Sequence, residues 1–382
     1  MGNDRHASAV LEIDLEAIVR NWRQLRDRAV PAECAGVVKA DAYGLGAARV
    51  ATALAAAGCR VFFVATLDEG IALRAALSSG EDEGKGAGAA HPNATILVLE
   101  GAPRGAEVEF VRHGLIPVLN SLDDVDAWRI FAGLLEARLP AVLHVDTGMS
   151  RLGLAADELA SLAGRLERLD HIALVLVMSH LACADEPDHP MNDAQRARFE
   201  SALAILPRAP ASLANSSGIF LGERYHHDMI RPGAALYGIS PTPAQANPMQ
   251  GVARLRARIL QVREIDTDAT VGYGATHRVT GRARIATVGV GYADGWLRAL
   301  SNHGAGWIGD RSVPLVGRVS MDLSTFDVTG VPEMLAAPGC WIELIGPNRP
   351  VDTVAKEAGT IGYEILTALG TRYARIHSTA AA

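Results

Sequence analysis

The segment Val37-Val38-Lys39-Ala40-Asp41-Ala42-Tyr43-Gly44-Leu45-Gly46 joins an apolar run, a lysine and a glycine-rich turn. This order predicts a strand that ends at Lys39, a loop that carries Tyr43, and a helix formed by the alanine-rich residues 47–58. A lysine that is partly removed from water has a lowered pKa and can then attack an aldehyde. A single lysine at a strand end is usually structural, so other residues must support a catalytic role.

Short apolar runs alternate with helix-period segments from residue 34 to about residue 240. The predicted strands are 34–39, 61–66, 95–100, 115–119, 141–146, 172–179, 211–215 and 229–231. The predicted helices between them include 68–78, 122–137, 155–169 and 193–205. Eight strands in strict β-then-α order favour a closed, TIM-like (β/α)8 barrel over the competing interpretation, an open doubly wound sheet.

The pattern changes after about residue 245. Residues 259–265, 283–290, 313–319 and 340–344 form short β-rich runs separated by Gly, Pro, Asp or Asn. We therefore expect two domains, an α/β barrel at residues 1–244 and a mainly β domain at residues 245–382, joined through the proline-rich residues 240–248. Residues 79–90 are poor in apolar side chains and rich in glycine, which predicts a mobile surface loop.

Composition restricts the partners of this chain. Its 382 residues are 49% hydrophobic and 21% charged, with a formal net charge of -7. No cluster of Lys and Arg suggests a nucleic-acid surface, and no apolar stretch approaches the length of a membrane span. The amino terminus lacks a signal-peptide core, and scattered cysteines predict reduced thiols. We expect a cytoplasmic protein that binds neither nucleic acid nor membrane.

Polar side chains recur at the carboxyl ends of the predicted strands, where (β/α)8 barrels have their active sites. After Lys39, these are residues 144–151 (HVDTGMSR), Ser179-His180, residues 215–218 (NSSG) and residues 230–233 (IRPG). Each set alone has a structural explanation, such as a buried histidine, a turn or an ion pair. Five sets at one end predict an active site, and a lysine in such a site suggests the aldehyde cofactor pyridoxal phosphate (PLP).

Three other motifs resemble known functional patterns but lack the features that would confirm them. Asp146-Thr147-Gly148 matches the aspartic protease motif, but those enzymes need two carboxylates and the chain has no second such motif. Four histidines could be considered as metal ligands: His180, His189, His226 and His227. They lack the spacing that is typical of zinc sites, so no metal site is predicted. Residues 289–295 (GVGYADG) lack the βαβ unit that surrounds a dinucleotide fingerprint.

Nine motifs together resemble the alanine racemase family, whose members use PLP to interconvert L-alanine and D-alanine. In order from residue 37 to residue 364 they are VVKADAYGLG, VDTGMSRLG, SHLA, ANSSG, IRPGAALYG, VGYGAT, VGVGYADG, GRVSMD and TIGYE. One motif alone is weak, whereas nine in this order over nearly the whole chain are specific. The resemblance implies a PLP-binding barrel, a following β domain and a head-to-tail homodimer with shared active sites.

The resemblance also implies roles for single residues. Lys39 would bind PLP covalently and act as one base, and Tyr273, reaching the barrel of the other subunit, would be the second base. Arg231 would contact the pyridine nitrogen, and His180 would link that arginine to the tyrosine. The phosphate would be held by Tyr43, Ser216, Gly233, Ala234 and Tyr363. Arg151 would lie near the PLP phenolic oxygen and the substrate carboxylate. Met321 and Asp322 would complete the substrate pocket of the other subunit, and Tyr292 would line its entrance.

Residue 144 departs from the family pattern. Many members have a lysine here, carbamylated to carry negative charge, and its carbamate orients the arginine that corresponds to Arg151. His144 cannot supply an anion. A chloride ion, a nearby carboxylate or a direct hydrogen bond would have to orient Arg151 instead.

Two alternative functions share this scaffold. One is another PLP enzyme, either a decarboxylase of basic amino acids or a broader-range racemase that also accepts serine. Such decarboxylases use a cysteine in a Cys-Asp context, whereas Trp341 follows Cys340 here. The other is a non-catalytic PLP-binding protein, which lacks both the β domain and the second base. Tyr273 and the β pattern after residue 245 favour the racemase.

Overall fold

The computed structural model describes residues 6–79 and 90–378. Residues 80–89, which make up most of the predicted surface loop, lie outside the described residues. The chain forms two compact units. The barrel unit consists of Ile18–Leu236 and Ser240–Met249, and the β unit consists of Met1–Ala17, Tyr237–Ile239 and Gln250–Ala382.

Strands and helices are numbered here in chain order. The strands are β1 (Ala9–Asp14), β2 (Glu33–Cys34), β3 (Gly36–Val37), β4 (Val61–Val64), β5 (Thr95–Val98), β6 (Leu115–Leu119), β7 (Leu139–His144), β8 (Ile172–Met178), β9 (Ala211–Ser212), β10 (Met229–Ile230), β11 (Ala253–Ile265), β12 (Thr270–Val271), β13 (His277–Arg278), β14 (Ala283–Val288), β15 (Ala305–Ile308), β16 (Arg311–Pro314), β17 (Ser324–Asp327), β18 (Trp341–Ile345) and β19 (Ala374–Ser378). The helices are α1 (Leu15–Arg28), α2 (Lys39–Gly44), α3 (Ala47–Ala56), α4 (Leu67–Ser79), α5 (Glu107–His113), α6 (Leu122–Leu134), α7 (Ala156–Ala163), α8 (Met191–Ile205), α9 (Val351–Ala358) and α10 (Gly362–Ala368).

The strands of the barrel unit are parallel and close on themselves. Seven of them form one sheet in the order β3-β4-β5-β6-β7-β8-β9, and β2 pairs with β10. On one side of β10, the N–H of Asp228 donates to the carbonyl of Ala211 at 3.0 Å. On its other side, the N–H of Val37 donates to the carbonyl of Pro232 at 3.0 Å. With β2 and β3 as one interrupted strand, the result is the predicted eight-stranded, TIM-like barrel.

Sequence patterns explain these elements. All four residues of β4 (Val-Phe-Phe-Val) are buried, as expected for a parallel strand that is covered on both faces. Helix α6 begins after Ser121, whose Oγ accepts the N–H of Asp124 at 3.1 Å and caps the helix. Its buried face consists of Val125, Trp128 and Ala132, at the spacing of one helix side.

The β unit is built around the long strand β11. Its eight-stranded sheet has the order β16-β15-β18-β11-β1-β19, and β14 pairs with β11 and with β17. The amino-terminal strand β1 runs antiparallel to β11 and parallel to β19. Near the hairpin of β12 and β13, five buried apolar side chains pack together: Val271, Val279, Ala283, Ile285 and Val316. The mainly β character predicted after residue 245 is confirmed.

Several boundaries differ from the predictions. The helix expected at residues 155–169 is interrupted, since α7 ends at Ala163 and Leu166–Leu169 form a 3-10 turn. Gly164 and Arg165 lie at this break, and glycine is a poor helix former. The strand expected at residues 313–319 ends at Pro314. The short helices α9 and α10 were missed because two helical turns give too few apolar repeats for the pattern to show.

The described residues contain no helix with both the length and the hydrophobicity needed to span a bilayer. The four cysteines are free, and Cys34 and Cys59 are buried in the barrel unit.

Candidate active site

Lys39 begins a left-handed turn at the carboxyl end of β3. Strand β3 ends at Val37, so Lys39 follows the strand instead of ending it as predicted. The next four residues have φ angles of 51°, 52°, 53° and 57°, although none of them is glycine. Left-handed backbone costs such residues about 1–2 kcal/mol each. The surrounding structure must therefore hold this turn in place.

Two carboxylates hold the turn. Glu69 accepts the N–H of Ala40 with Oε1 and the N–H of Ala65 with Oε2, both at 2.7 Å, and so ties the turn to the end of β4. Asp41 Oδ1 accepts the N–H of Ala47, the first residue of α3, at 2.7 Å. Sequence reasoning missed Glu69 because an acidic residue in a first helical turn already has an explanation in the helix dipole.

Replacing Glu69 by glutamine is expected to lower the free energy of unfolding by about 1–3 kcal/mol, because one carboxylate oxygen that accepts a backbone N–H becomes an amide donor. Urea titration measures this change. Asp68→Asn, on the same turn of α4 but exposed, is the control and should stay within about 0.5 kcal/mol. Equal free energies of unfolding for the two variants would contradict the role of Glu69 in holding the turn after Lys39.

The Lys39 amine is partly buried. Burial lowers its pKa, the positive charge of Arg151 lowers it further, and the carboxylates of Glu69 and Glu100 act in the opposite direction. The pKa shift therefore has the predicted direction. A lower pKa increases the share of neutral amine, the form that attacks an aldehyde.

Arg231 organises the end of the eighth strand. Its buried guanidinium donates from Nη1 to Ser212 Oγ and from Nη2 to the Ser179 carbonyl, both at 2.5 Å. Nη2 also lies 3.4 Å from Nδ1 of His180. Burial lowers the pKa of Arg231 to about 10, so the guanidinium keeps its charge at neutral pH.

His180 is held neutral beside this arginine. Burial and the positive charges of Arg231 and Arg151 keep its pKa well below the ordinary range. Because a guanidinium only donates, Nδ1 of His180 must be the acceptor, and Nε2 of the neutral ring then carries the proton. The ring therefore offers an N–H donor at Nε2.

Ser216, from the loop after β9, and Tyr43, from α2, both contact Gly233 in the loop after β10. Ser216 Oγ accepts the N–H of Gly233 at 3.0 Å and the N–H of Ala235 at 3.2 Å. A Cβ atom at Gly233 would lie 2.4 Å from the Tyr43 hydroxyl, so only glycine fits against it. Hydroxyls and backbone N–H groups at this end of a barrel suit a phosphate. With the Lys39 amine for an aldehyde and Arg231 as a donor for a ring nitrogen, the residues fit PLP.

Arg151 lies on the ordered loop between β7 and α7. Asp146 Oδ1 accepts the N–H groups of Gly148 at 2.8 Å and Met149 at 2.9 Å, so this aspartate shapes the loop. Sequence reasoning also missed the buried Gln195 of α8. Its Nε2 donates to Thr147 Oγ1 at 3.1 Å and to the His180 carbonyl at 2.9 Å, joining two loops of the site. No local pattern separates such a glutamine from a surface one.

The remaining predicted site residues belong to the β unit, and their side chains are exposed: Tyr273, Tyr292, Met321, Asp322 and Tyr363. The N–H of Ala293 donates to the Met321 carbonyl at 2.9 Å, which joins the Tyr292 turn to the segment that carries Met321. Arg372 donates to Asp322 at 2.7 Å and to the buried Asp294 at 2.5 Å. This arginine, which sequence reasoning missed, holds Asp322 beside that turn. Within the described residues, no group of three or more His, Cys, Asp or Glu side chains is arranged to hold a metal ion.

Known proteins resemble this chain over nearly its whole length. Residues 13–241 match the family model described as "Alanine racemase, N-terminal domain", and residues 252–377 match "Alanine racemase, C-terminal domain". The chain is 54% identical to an alanine racemase of Rhodospirillum rubrum, covering 98% of this chain and 97% of the relative. It is 51% identical to a protein of Mesorhizobium japonicum named "Alanine racemase, catabolic", covering 97% and 93%.

A solved structure agrees with these matches. The alanine racemase of Bartonella henselae with covalently bound pyridoxal phosphate is 40% identical, with a TM-score of 0.90, and the match covers 97% of this chain and 100% of that one. That protein of the same fold holds PLP covalently, and the barrel residues described above fit the same cofactor. The chain therefore belongs to the alanine racemase family of PLP-dependent isomerases.

Proposed function

We propose that the chain interconverts L-alanine and D-alanine by a two-base mechanism, with Lys39 and Tyr273 on opposite faces of the substrate Cα. The barrel-unit cluster supports this proposal most strongly. It combines a lysine of lowered pKa, a buried arginine and a hydroxyl-lined glycine loop at the carboxyl ends of the strands. Removal of a proton from one face and delivery to the other calls for two bases.

In this proposal the barrel residues bind and orient PLP. Its ring withdraws electrons from the substrate Cα and so makes the Cα proton acidic. Ser216, Gly233, Ala234 and Tyr43, with Tyr363, would hold the phosphate. Arg231 would donate to the ring nitrogen and, since arginine keeps its own proton, would leave that nitrogen unprotonated. Electron withdrawal is then limited, which favours return of a proton to Cα over side reactions.

The two bases would come from different subunits. Lys39 would exchange a proton with Cα on one face, and the partner subunit's Tyr273 would do so on the other. Tyr273 is 71% exposed in the single chain, which suits a side chain that reaches another subunit. The Nε2–H group of His180 would donate to the tyrosine oxygen and stabilise its deprotonated form. A head-to-tail homodimer is therefore part of the proposal.

Substrate selection would depend on the carboxylate and on the size of the side chain. Arg151, which forms no hydrogen bond or ion pair with another described residue, would bind the substrate carboxylate as a charge-assisted partner. The partner subunit's Met321 and the partner subunit's Asp322 would limit the pocket to a small side chain, and the partner subunit's Tyr292 would line its entrance. Alanine is the substrate that these roles favour, and serine is the nearest competitor.

The proposed reaction serves two cellular roles equally well. It supplies D-alanine for peptidoglycan, or it feeds D-alanine into catabolism. A deletion strain that requires D-alanine for growth identifies the first role, and one that fails only with D-alanine as carbon source identifies the second. We place the enzyme in the cytoplasm, because free thiols such as those of its four cysteines are typical of a reducing compartment.

The test is incubation of the purified protein with PLP and L-alanine in heavy water. We expect D-alanine with deuterium at Cα, detected by chiral chromatography with mass spectrometry. D-serine formed faster from L-serine would redirect the proposal to a broader-range racemase. Bound PLP without deuterium exchange from any amino acid would replace it with a binding role.

A further inference from the structure

We propose that His144 is a positioning residue that presents its unprotonated Nε2 to the guanidinium of Arg151. The inference rests on the proposed function, which assigns Arg151 to the substrate carboxylate. It states how this chain would orient that arginine in the PLP-loaded enzyme without an anion: by a direct hydrogen bond to a neutral imidazole.

Asn120 fixes which nitrogen of His144 carries the proton. Its Nδ2 donates to the carbonyls of Leu99 at 3.0 Å and Val118 at 3.1 Å. Two carbonyl partners require the NH2 group on that side, so the amide oxygen is the atom 2.8 Å from His144 Nδ1. An amide oxygen only accepts, and Nδ1 must therefore hold the hydrogen. The neutral ring then has its lone pair on Nε2.

The charges around His144 keep the ring neutral. Burial lowers the pKa of His144 to about 4, and the positive charges of Arg231 and Arg151 contribute, whereas Asp146 acts in the opposite direction. At neutral pH the imidazole is therefore uncharged, and a second proton does not block Nε2. The two cationic groups that act on the ring, Arg231 and Arg151, can donate hydrogen bonds but cannot accept them.

The loop that carries Arg151 returns to the edge of this ring. The N–H of Leu154 donates to the His144 carbonyl at 2.8 Å, and the N–H of Asp146 donates to the Leu154 carbonyl at 3.0 Å, which closes the loop at its base. A Cβ atom at Gly153 would lie 3.2 Å from His144 Cδ2, the ring carbon bonded to Nε2. Arg151 is two residues before Gly153 on the same loop, so the loop brings its backbone towards the side of the ring that carries the lone pair.

Arg231 does not compete for this acceptor with its terminal nitrogens. Its Nη1 donates to Ser212 Oγ, and its Nη2 donates to the Ser179 carbonyl and lies near Nδ1 of His180. Among the described residues, none forms a hydrogen bond with Nε2 of His144. The acceptor is therefore available to Arg151. Since a neutral acceptor does not offset the guanidinium charge, Arg151 keeps its full attraction for a carboxylate.

Two variants of the PLP-loaded enzyme separate this role from packing. His144→Leu removes both ring nitrogens, whereas His144→Gln keeps an N–H for Asn120 and an oxygen acceptor for Arg151. We expect the KM for L-alanine and the Kd for propionate, which is alanine without its amino group, to rise about tenfold or more in His144→Leu. Both constants should stay within about threefold of the parent value in His144→Gln, and kcat should change less than KM in either variant.

Propionate binding is measured by calorimetry and does not depend on turnover. If His144→Leu fails to fold, the parent enzyme still tests the inference. Long-range 1H–15N spectra of 15N-histidine-labelled protein should show the His144 resonance, identified by its loss in His144→Gln, as a neutral ring protonated at Nδ1. A proton on Nε2 at pH 7, or unchanged propionate affinity in a folded His144→Leu enzyme, overturns the role of His144. Absence of racemisation in the parent enzyme would overturn the proposed function instead.

Discussion

Replacing Lys39 by alanine is expected to reduce kcat for both alanine isomers by more than about 10³-fold, because one residue supplies both the covalent link to PLP and a catalytic base. Chiral chromatography of D-alanine measures the loss of activity. The visible absorbance of lysine-linked PLP should disappear from the purified protein at the same time. The turn that follows Lys39 is held by Glu69 and Asp41, so the variant should keep its fold.

The chain offers a matched control for this experiment. Its only other lysines are Lys85 and Lys356. Lys356 is exposed on α9, and Lys356→Ala should leave both activity and absorbance unchanged. Borohydride reduction followed by peptide mapping identifies the lysine that carries PLP. Attachment at Lys85 or Lys356 in the parent enzyme would contradict the assignment of Lys39.

Tyr273→Phe is expected to slow removal of the Cα proton from L-alanine by about 10²–10⁴-fold, because the variant lacks one of the two proposed bases. Exchange from D-alanine should fall much less, since Lys39 remains on the other face. The measurement is deuterium incorporation from heavy water into each isomer, followed separately at early times before the isomers mix. The test of the two-base assignment is the difference between the exchange rates of L-alanine and D-alanine, more than the total loss of activity.

Tyr292→Phe is the control for Tyr273. It removes a hydroxyl from another exposed tyrosine of the β unit that the proposal places at the entrance of the pocket. Its exchange rates should fall equally for the two isomers and by no more than about tenfold. Equal losses for both isomers in Tyr273→Phe would mean that one base serves both faces.

The barrel could be predicted from sequence because its signals are local and repeated. Apolar runs such as 61–64 and 95–98 alternate with helical patterns, and only a few topologies fit eight such repeats. The rule that barrel sites lie at the carboxyl ends of strands then grouped Lys39, His180 and Arg231. The structure confirms that Arg231 and His180 are neighbours. The same rule could have pointed to Asn120, a polar residue directly after β6.

The β unit was harder to predict because its pairings are distant in sequence. Strand β1 hydrogen-bonds to β11 and β19, which lie more than 200 residues further along the chain. Six residues give no local sign of such partners, and their pattern alone does not select a sheet. The strands β17 and β19, whose partners are β14 and β1, were missed for the same reason. Strand β15 was also missed, although its partner β16 follows it directly in a hairpin.

By itself, the sequence determined the barrel, the β-rich second half and the family, since each depends on the order and type of residues along the chain. Only the tertiary structure decided the left-handed turn after Lys39 and the protonated nitrogen in the rings of His144 and His180. A backbone held at positive φ needs acceptors from elsewhere, here Glu69 on another helix. The tautomer of a histidine depends on which atom faces it, and Asn120 and Arg231 face these two rings from other strand ends. Such partners meet only when the barrel closes.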